Sequence, residues 1–200
     1  MKIILASGSP RRQQLMEGLG IPFTVELSGD VEEIIPAGMP LEKTPEYLAR
    51  VKSEAFRPLA GDELVITADT VVICHRQLLG KPANKADAER MLRLLSGNRH
   101  DVLTGVYLRT MQTTHTFTAH TAVFFRPLSA AEIDYYIDCY RPYDKAGAYG
   151  AQEWIGYVGI ERIEGSYFNV MGLPLQQLYA ALMQFGRKKA PAVLPTLKSK

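Results

Sequence analysis

The sequence predicts an α/β or mixed α+β fold, because segments with strand patterns and segments with helix patterns alternate along the chain. Residues 64–73 form a nearly continuous apolar run, which is typical of a strand buried on both faces of a sheet. Helix start signals stand at Ser9-Pro10, at Asn84 and at Ser129. Helices with an apolar stripe can cover both faces of a twisted sheet.

The chain opens with a strand that leads directly into a helix. Residues 2–6 have the apolar pattern of a short buried strand. Ser9 is the expected N-cap and Pro10 the first helical residue, and the helix should end near Gly18 or Gly20.

A second strand and a helix with an unusually placed lysine follow. Residues 23–27 alternate like a strand, and Thr44 is the expected N-cap of a helix that begins with Pro45. Lys52 lies four residues after Leu48, on or beside the apolar face of that helix. Its ammonium group would reach either a polar cleft or, by snorkelling, the surrounding water, and the pattern leaves both open.

Asp69 and Thr70 interrupt the apolar run at residues 64–73. A carboxylate in a buried strand carries a desolvation cost unless a cation or hydrogen-bond donors meet it. We therefore expect a functional site at Asp69. The alternative is an aspartate at a turn or bulge between two shorter strands.

The second half of the chain continues the alternation of strands and helices. The predicted elements are a turn at 79–82, a helix capped by Asn84, a hairpin from strands near 101–109 and 116–125, a capping-box helix from Ser129 to about Cys139, and a last helix that ends near Phe185. The glycine-rich segment 143–152 permits sharp turns or a close approach to a ligand, and a plain loop is the simpler interpretation.

Composition limits the partners that the chain can have. Its 200 residues, 46% of them hydrophobic, suffice for one globular domain. The net charge of +2 gives no reason to expect nucleic-acid binding, and no apolar stretch is long enough to span a membrane. Two cysteines suit a reducing compartment, so we expect a cytoplasmic protein. Residues 1–187 are the expected domain and 188–200 an expected disordered basic tail.

Arg11 and Arg12 fall in the first turn of the first helix, where cations oppose the helix dipole. An anion bound in front of the helix would reverse that effect, because backbone N–H groups and two guanidinium groups would converge on it. A solvent-exposed arginine pair is the alternative. Phosphate binding is the hypothesis that we favour.

Charged residues in unusual places form two sets, one basic and one acidic. The basic set is Arg11, Arg12, Lys52 and Lys81, and the acidic set is Glu32, Glu33 and Asp69. Separated carboxylates with several cations suit a polyphosphate held together with a divalent cation. The carboxylates would bind metal or activate water, and the cations would stabilise charge on the leaving phosphate.

Seven motifs in fixed order give the chain a family resemblance. They are Ala6-Ser7-Gly8-Ser9-Pro10-Arg11-Arg12, Val31-Glu32-Glu33, Ala68-Asp69-Thr70, Gly80-Lys81-Pro82, Leu95-Ser96-Gly97, Asp144-Lys145-Ala146-Gly147-Ala148-Tyr149-Gly150 and Gly172-Leu173-Pro174. The chain thereby resembles the Maf family of nucleotide pyrophosphatases over about residues 3–185. The resemblance implies a two-lobed fold with a strongly twisted mixed sheet and a central cleft, similar to that of the inosine triphosphate pyrophosphatases.

The resemblance also implies a reaction and the residues that perform it. The reaction is hydrolysis of a nucleoside triphosphate to the monophosphate and pyrophosphate with Mg²⁺ or Mn²⁺. Asp69 would accept the proton of the attacking water, with Glu33 as its acidic partner near the metal, and Lys81 would assist catalysis. The phosphate contacts would come from Ser7, Arg12, Lys52 and Lys81.

Three positions resemble those that track base preference in this family. Arg11, Thr70 and Gln152 match the dTTP/UTP branch, and the chain departs from the 7-methyl-GTP branch after Ser9-Pro10 and at Ala68-Asp69-Thr70. Gln152 is followed by Glu153-Trp154 where a second glycine is common, so the shape of this loop should differ.

Two other functions remain open beside dTTP/UTP hydrolysis. One is a pyrophosphatase for modified pyrimidine nucleotides such as pseudo-UTP or 5-methyl-UTP. The other is a nucleotide-sensing regulator of septum formation that binds without turnover, against which the intact Asp69, Glu33 and Lys81 argue. A homodimer is also open.

Overall fold

The computed structural model describes residues 1–29 and 31–187, and the predicted tail at 188–200 lies outside the described residues. The chain divides into two compact units. The first unit contains Met1–Asp69, Thr104–Ala119 and the described residues 172–187, and the second contains Thr70–Leu103 and His120–Met171.

In the part of the chain that the structure describes, seven strands form one mixed sheet. They are β1 (Lys2–Leu5), β2 (Thr24–Val25), β3 (Glu63–Cys74), β4 (Gln77–Leu79), β5 (Arg99–Arg109), β6 (Thr114–Phe125) and β7 (Ile160–Glu164). The strand order is β2-β1-β3-β5-β6-β7, and β4 pairs with β3. β1 runs parallel to β2 and β3, whereas β4 and β7 run antiparallel to β3 and β6. The predicted α/β class with a mixed sheet is confirmed.

Seven α-helices lie in residues 1–29 and 31–187. They are α1 (Pro10–Glu17), α2 (Thr44–Glu54), α3 (Lys85–Leu95), α4 (Ala130–Tyr140), α5 (Trp154–Gly159), α6 (Tyr167–Val170) and α7 (Leu175–Arg187). The capping signals are confirmed at three starts. The side chains of Ser9, Asn84 and Ser129 accept the N–H groups of Arg12, Asp87 and Glu132, and Ser129 and Glu132 form a reciprocal capping box.

β3 is the longest described stretch of buried chain, and it starts at an ion pair. The Glu63 carboxylate accepts the two terminal N–H groups of Arg57 at 2.8 and 2.9 Å and the Ala60 N–H at 2.9 Å. These bonds lower the pKa of Glu63 to about 2. Between Glu63 and Cys74 only Thr70 is more than slightly exposed. The strand is continuous through Asp69, so the alternative of two shorter strands joined by a turn or bulge is wrong.

The predicted start of α2 is also wrong. A 3₁₀ turn at Leu41–Lys43 precedes the helix, Lys43 takes the cap position, and Thr44 is already helical and fully buried. The Thr44 hydroxyl has no hydrogen-bond partner among the described residues. A turn that leads into the helix makes a side-chain cap unnecessary, because its own backbone approaches the first helical N–H groups.

The predicted hairpin and last helix are present. The hairpin strands were expected near 101–109 and 116–125, and β5 and β6 each begin two residues earlier. Four short elements were not predicted, namely β4, α5, β7 and α6, which are three to six residues long. No helix in residues 1–29 and 31–187 is long and apolar enough to cross a membrane.

Candidate active site

Asp69 lies in the middle of β3, and its carboxylate meets a cation. The residue is 8% exposed, and its Oδ1 lies 2.5 Å from the ammonium Nζ of Lys52. Lys52 therefore does not snorkel to open water, and the polar environment is the alternative that the structure supports. This ion pair explains how an aspartate is tolerated in an otherwise apolar, buried strand.

Lys52 is presented by α2, which is held tightly against the sheet. The Thr67 hydroxyl donates to the Ala49 carbonyl at 2.6 Å, and Arg109 donates to the Ser53 hydroxyl at 3.0 Å and to its carbonyl at 2.5 Å. These bonds join the middle and end of α2 to β3 and β5. The position of the lysine is thus fixed by residues on both of its sides along the helix.

The start of α2 approaches β5 so closely that only glycine fits at position 105. A Cβ atom built on Gly105 would lie 2.3 Å from the carbonyl carbon of Pro45 and 2.4 Å from the Glu46 nitrogen. Both contacts are with backbone, which cannot move aside as a flexible side chain could. Gly105 therefore permits the close packing of α2 that brings Lys52 to Asp69.

Glu33 completes a cluster of two carboxylates around one ammonium group. It lies in the loop between β2 and α2, its side chain is 47% exposed, and its Oε1 is 2.9 Å from Lys52 Nζ. The predicted partnership of Glu33 with Asp69 is thus matched by their contact with the same cation. Glu32 is exposed beside it.

Burial decides the protonation behaviour of Asp69. Loss of solvent raises the pKa of its carboxyl above the ordinary value, and the nearby charge of Glu33 acts in the same direction. The positive charges of Lys52 and Arg12 oppose this rise. A carboxylate whose pKa is raised while it stays close to cations is suited to accept a proton.

Arg12 lies close to Asp69, but its guanidinium group also donates hydrogen bonds to backbone carbonyls. Its Nε donates to the Gly172 carbonyl at 2.8 Å and its Nη1 to the Ala68 carbonyl at 2.8 Å. Burial lowers the pKa of Arg12, and the charge of Asp69 counteracts this. Arg12 therefore braces the residue before Asp69, and its predicted phosphate contact stays a prediction.

The turn before α1 is ordered by its serines. Ser7 is buried, and its hydroxyl accepts the Ser9 N–H at 3.3 Å, while the Ser9 hydroxyl caps the Arg12 N–H at 3.5 Å. Gln13 donates to the Ser7 carbonyl at 3.1 Å. Arg11 is half-buried in the first turn of the helix, next to Arg12. Ser7, Arg11 and Arg12 are thus kept close together at the helix start.

The other predicted site residues belong to the second unit. Thr70 follows Asp69 in β3 and is half-buried. Lys81 lies after β4, where its side chain is exposed and makes no ion pair with any described residue. Gln152 is half-buried, and its carbonyl accepts the Tyr157 hydroxyl at 2.9 Å.

The loop that carries Gln152 rests on a buried polar cluster that was not predicted from the sequence. Lys145 Nζ lies 2.7 Å from Asp144 and 3.0 Å from Glu153, and the Tyr136 hydroxyl donates to Glu153. The same hydroxyl accepts the Gly150 N–H at 3.0 Å. The sequence feature that pointed to this cluster is Glu153, which stands where a glycine is common.

The donor set around Lys52 fits a hard divalent cation. Two carboxylates, from Glu33 and Asp69, already face one positive charge at 2.9 and 2.5 Å. Mg²⁺ is commonly bound through one or two carboxylates together with waters and substrate phosphates. In the part of the chain that the structure describes, no group of three His, Cys, Asp or Glu side chains could hold a metal by protein ligands alone.

Comparison with known proteins shows the family of the chain. The family model for Maf-like proteins matches residues 2–185. The chain is 52% identical over 188 residues to the dTTP/UTP pyrophosphatase of Porphyromonas gingivalis, covering 92% of this chain and 94% of that protein. The corresponding protein of Parabacteroides distasonis is 50% identical over 185 residues, covering 92% and 96%.

A solved structure has the same fold. The Staphylococcus aureus Ham1 protein superposes with a TM-score of 0.53 at 16% identity, covering 92% of this chain and 99% of that chain. At this identity the likeness concerns the fold alone.

Proposed function

The chain belongs to the Maf family, and we propose that it hydrolyses dTTP and UTP to the nucleoside monophosphate and pyrophosphate. The observation that carries the reaction type is the buried Asp69 carboxylate, in contact with Lys52 and grouped with Glu33. The substrates are proposed from the relatives, which bear the name dTTP/UTP pyrophosphatase at 50–52% identity.

Asp69 acts as the general base of the proposed reaction. It takes a proton from water while the water oxygen forms a bond to the α-phosphorus. The bond between the α-phosphorus and the oxygen that bridges to the β-phosphorus breaks, and pyrophosphate leaves with that electron pair. The raised pKa of the buried carboxyl supports this role, because a base is most effective when its pKa is close to the working pH.

The proposed cofactor is Mg²⁺ or Mn²⁺, held by Asp69 and Glu33. Oxygen ligands favour a hard cation over zinc. When bound, the cation neutralises the triphosphate oxygens and makes the phosphorus more open to attack. Lys52 keeps the two carboxylates together, so their arrangement does not depend on the metal alone.

The remaining cations contact the phosphates in this proposal. Lys81 is suited to this because it is exposed and no described residue pairs with it. Arg11 and the Ser7 hydroxyl lie at the N-terminus of α1, where the helix dipole favours negative charge. Arg12 contributes charge while it holds the Ala68 carbonyl, directly before the base.

Base selection is assigned to Arg11, Thr70 and Gln152. The keto edge of uracil or thymine offers hydrogen-bond acceptors, whereas cytosine presents an amino donor at the same place. The side-chain amide of Gln152 makes no hydrogen bond with any described residue, which leaves its donors available to a substrate. A site built around a specific hydrogen bond rejects the mismatched analogue strongly.

A nucleotide panel tests the proposed function. Turnover of dTTP, UTP, CTP, ATP and GTP is followed by phosphate release with added inorganic pyrophosphatase. We expect UTP and dTTP to be cleaved to monophosphate and pyrophosphate and the others poorly. Release of phosphate without added pyrophosphatase, or equal turnover of all five, would contradict the proposal.

Two further substrates in the panel distinguish the alternative functions. Pseudo-UTP and 5-methyl-UTP cleaved much faster than UTP would indicate a pyrophosphatase for modified nucleotides. Binding of UTP without turnover by the metal-loaded protein would indicate a sensor.

A further inference from the structure

The loop before α5 is anchored by a cluster of buried polar groups in the second unit. Lys145 is 8% exposed, Tyr136 is fully buried, and the Glu153 side chain is 19% exposed. Glu153 accepts the Tyr136 hydroxyl and pairs with Lys145 at 3.0 Å. None of these three residues belongs to the site proposed above, and the desolvation cost of burying the two charges is offset by their pairing and hydrogen bonds.

The cluster is connected to the loop through Gly150. The Tyr136 hydroxyl accepts the Gly150 N–H at 3.0 Å, and the Gly150 carbonyl accepts the Glu153 N–H at 3.0 Å. Glu153 occupies the N-cap position of α5, and its carbonyl accepts the Gly156 N–H at 2.9 Å. The backbone on both sides of Gln152 is therefore fixed by Glu153 and its partners.

The Glu153 carboxyl and the Gln152 amide share the space above Gly150. A Cβ atom at Gly150 would lie 2.8 Å from the Glu153 Cδ and 2.9 Å from the Gln152 Nε2. Both groups thus border the position that a side chain at residue 150 would occupy, so the carboxyl group limits the space available to the amide. A side chain that makes no hydrogen bonds of its own to described residues is oriented by such packing.

We propose that Glu153 is a positioning residue that orients Gln152 for reading the pyrimidine edge of the substrate. The proposal rests on the proposed function, and it adds the residue that sets the selectivity of that site. Glu153 acts through Gln152, while Tyr136 and Lys145 hold the carboxylate in place. The Lys145 charge offsets that of Glu153, so the carboxylate is tolerated next to an amide that must meet neutral keto groups.

The test compares Glu153→Gln with Glu161→Gln, an exposed glutamate in the same unit. Glutamine at 153 can still accept the Tyr136 hydroxyl but loses the attraction of Lys145. The fold should therefore be retained, while the side chain at position 153 becomes free to move. We expect the ratio of kcat/KM for UTP to that for CTP to fall about tenfold in Glu153→Gln, mainly through KM for UTP. Glu161→Gln should keep the wild-type ratio.

A double variant separates positioning from a general structural role. In a Gln152→Ala background, Glu153→Gln should change the UTP/CTP ratio no further, because the amide that it positions is gone. If the two losses of selectivity instead multiply, or if Glu153→Gln alone keeps the wild-type ratio, the inference is wrong. Should Glu153→Gln fail to fold, Tyr136→Phe removes the hydroxyl bond instead and must lower the ratio in the same way.

The wild-type measurement distinguishes this inference from the proposed function. A wild-type protein that cleaves UTP and CTP equally would overturn the proposed selectivity, and the positioning role with it. A wild-type protein that prefers UTP, together with an unchanged ratio in Glu153→Gln and Tyr136→Phe, would overturn the positioning role alone.

Discussion

Lys52 Nζ lies 2.5 Å from Asp69 Oδ1, although the two residues come from a helix and a buried strand 17 positions apart in sequence. The same ammonium group contacts Glu33 at 2.9 Å. One lysine therefore gathers two carboxylates that the chain brings from separate segments. This relationship is what makes the cluster a candidate for metal binding and water activation rather than an isolated buried charge.

Hydrolysis should require added Mg²⁺ or Mn²⁺. The candidate ligands are the two carboxylates at Lys52, and two carboxylates would not be expected to retain a hard cation against a chelator. UTP turnover should disappear in excess EDTA and return when Mg²⁺ is added back. Undiminished turnover in EDTA would mean that hydrolysis does not require a divalent cation.

Gly105→Ala should destabilise the protein and slow turnover together. The new methyl group would meet the Pro45 and Glu46 backbone at 2.3–2.4 Å, so α2 must shift and carry Lys52 with it. We expect a loss of about 1–3 kcal/mol in the free energy of unfolding by urea. The matched control is Gly61→Ala, where nothing lies within 4 Å of the new atom and the change should stay within about 0.5 kcal/mol. Equal stability of the two variants would disprove the close approach.

His100 should make the protein less stable in mild acid. It is 1% exposed beside Tyr149, and burial lowers its pKa to about 4. In the unfolded chain this histidine binds a proton near pH 6.5, whereas in the folded chain its imidazole stays neutral down to about pH 4. Its contribution to stability is therefore complete above pH 6.5 and is lost as the pH falls from there towards 4.

Urea unfolding at pH 7 and pH 5 measures this effect. The wild type should lose on the order of 1–2 kcal/mol more than His100→Gln between the two pH values. His115 is exposed, and His115→Gln is the control that should keep the wild-type difference. The same pH difference in wild type and His100→Gln would mean that His100 is not the group responsible.

Gln152→Glu should blunt the preference for UTP more than it harms phosphate binding. A carboxylate at this place accepts hydrogen bonds but cannot donate them to a keto oxygen. We expect kcat/KM for UTP to fall while that for CTP changes little, with the pyrophosphate Ki unchanged. If all nucleotides lose activity equally, Gln152 acts on the phosphates or on the fold instead of on the base.

Much of this site could be predicted because its residues break local patterns. Asp69 stands out in an apolar strand, and Lys52 stands out on the apolar face of a helix. Each anomaly is visible within about ten residues of sequence. The capping residues Ser9, Asn84 and Ser129 are equally local, and all three are confirmed.

The features that were missed depend on contacts between distant residues. Arg12 resembles a free phosphate ligand in sequence, but it donates to Gly172, 160 positions away, and to Ala68. The use of Gly105 depends on the backbone of Pro45 in another element. The Thr44 cap was wrong because the residues before it form a 3₁₀ turn that has no clear sequence signal.

The most direct test of the central claim follows UTP hydrolysis by the wild type and Asp69→Asn in heavy-oxygen water. Asparagine is close in size to aspartate but cannot take up the proton of the attacking water. We expect the wild type to place the heavy oxygen in UMP and none in pyrophosphate. We also expect folded Asp69→Asn to lose at least about 100-fold in kcat. Heavy oxygen in pyrophosphate, or near-wild-type turnover by Asp69→Asn, would contradict the central claim.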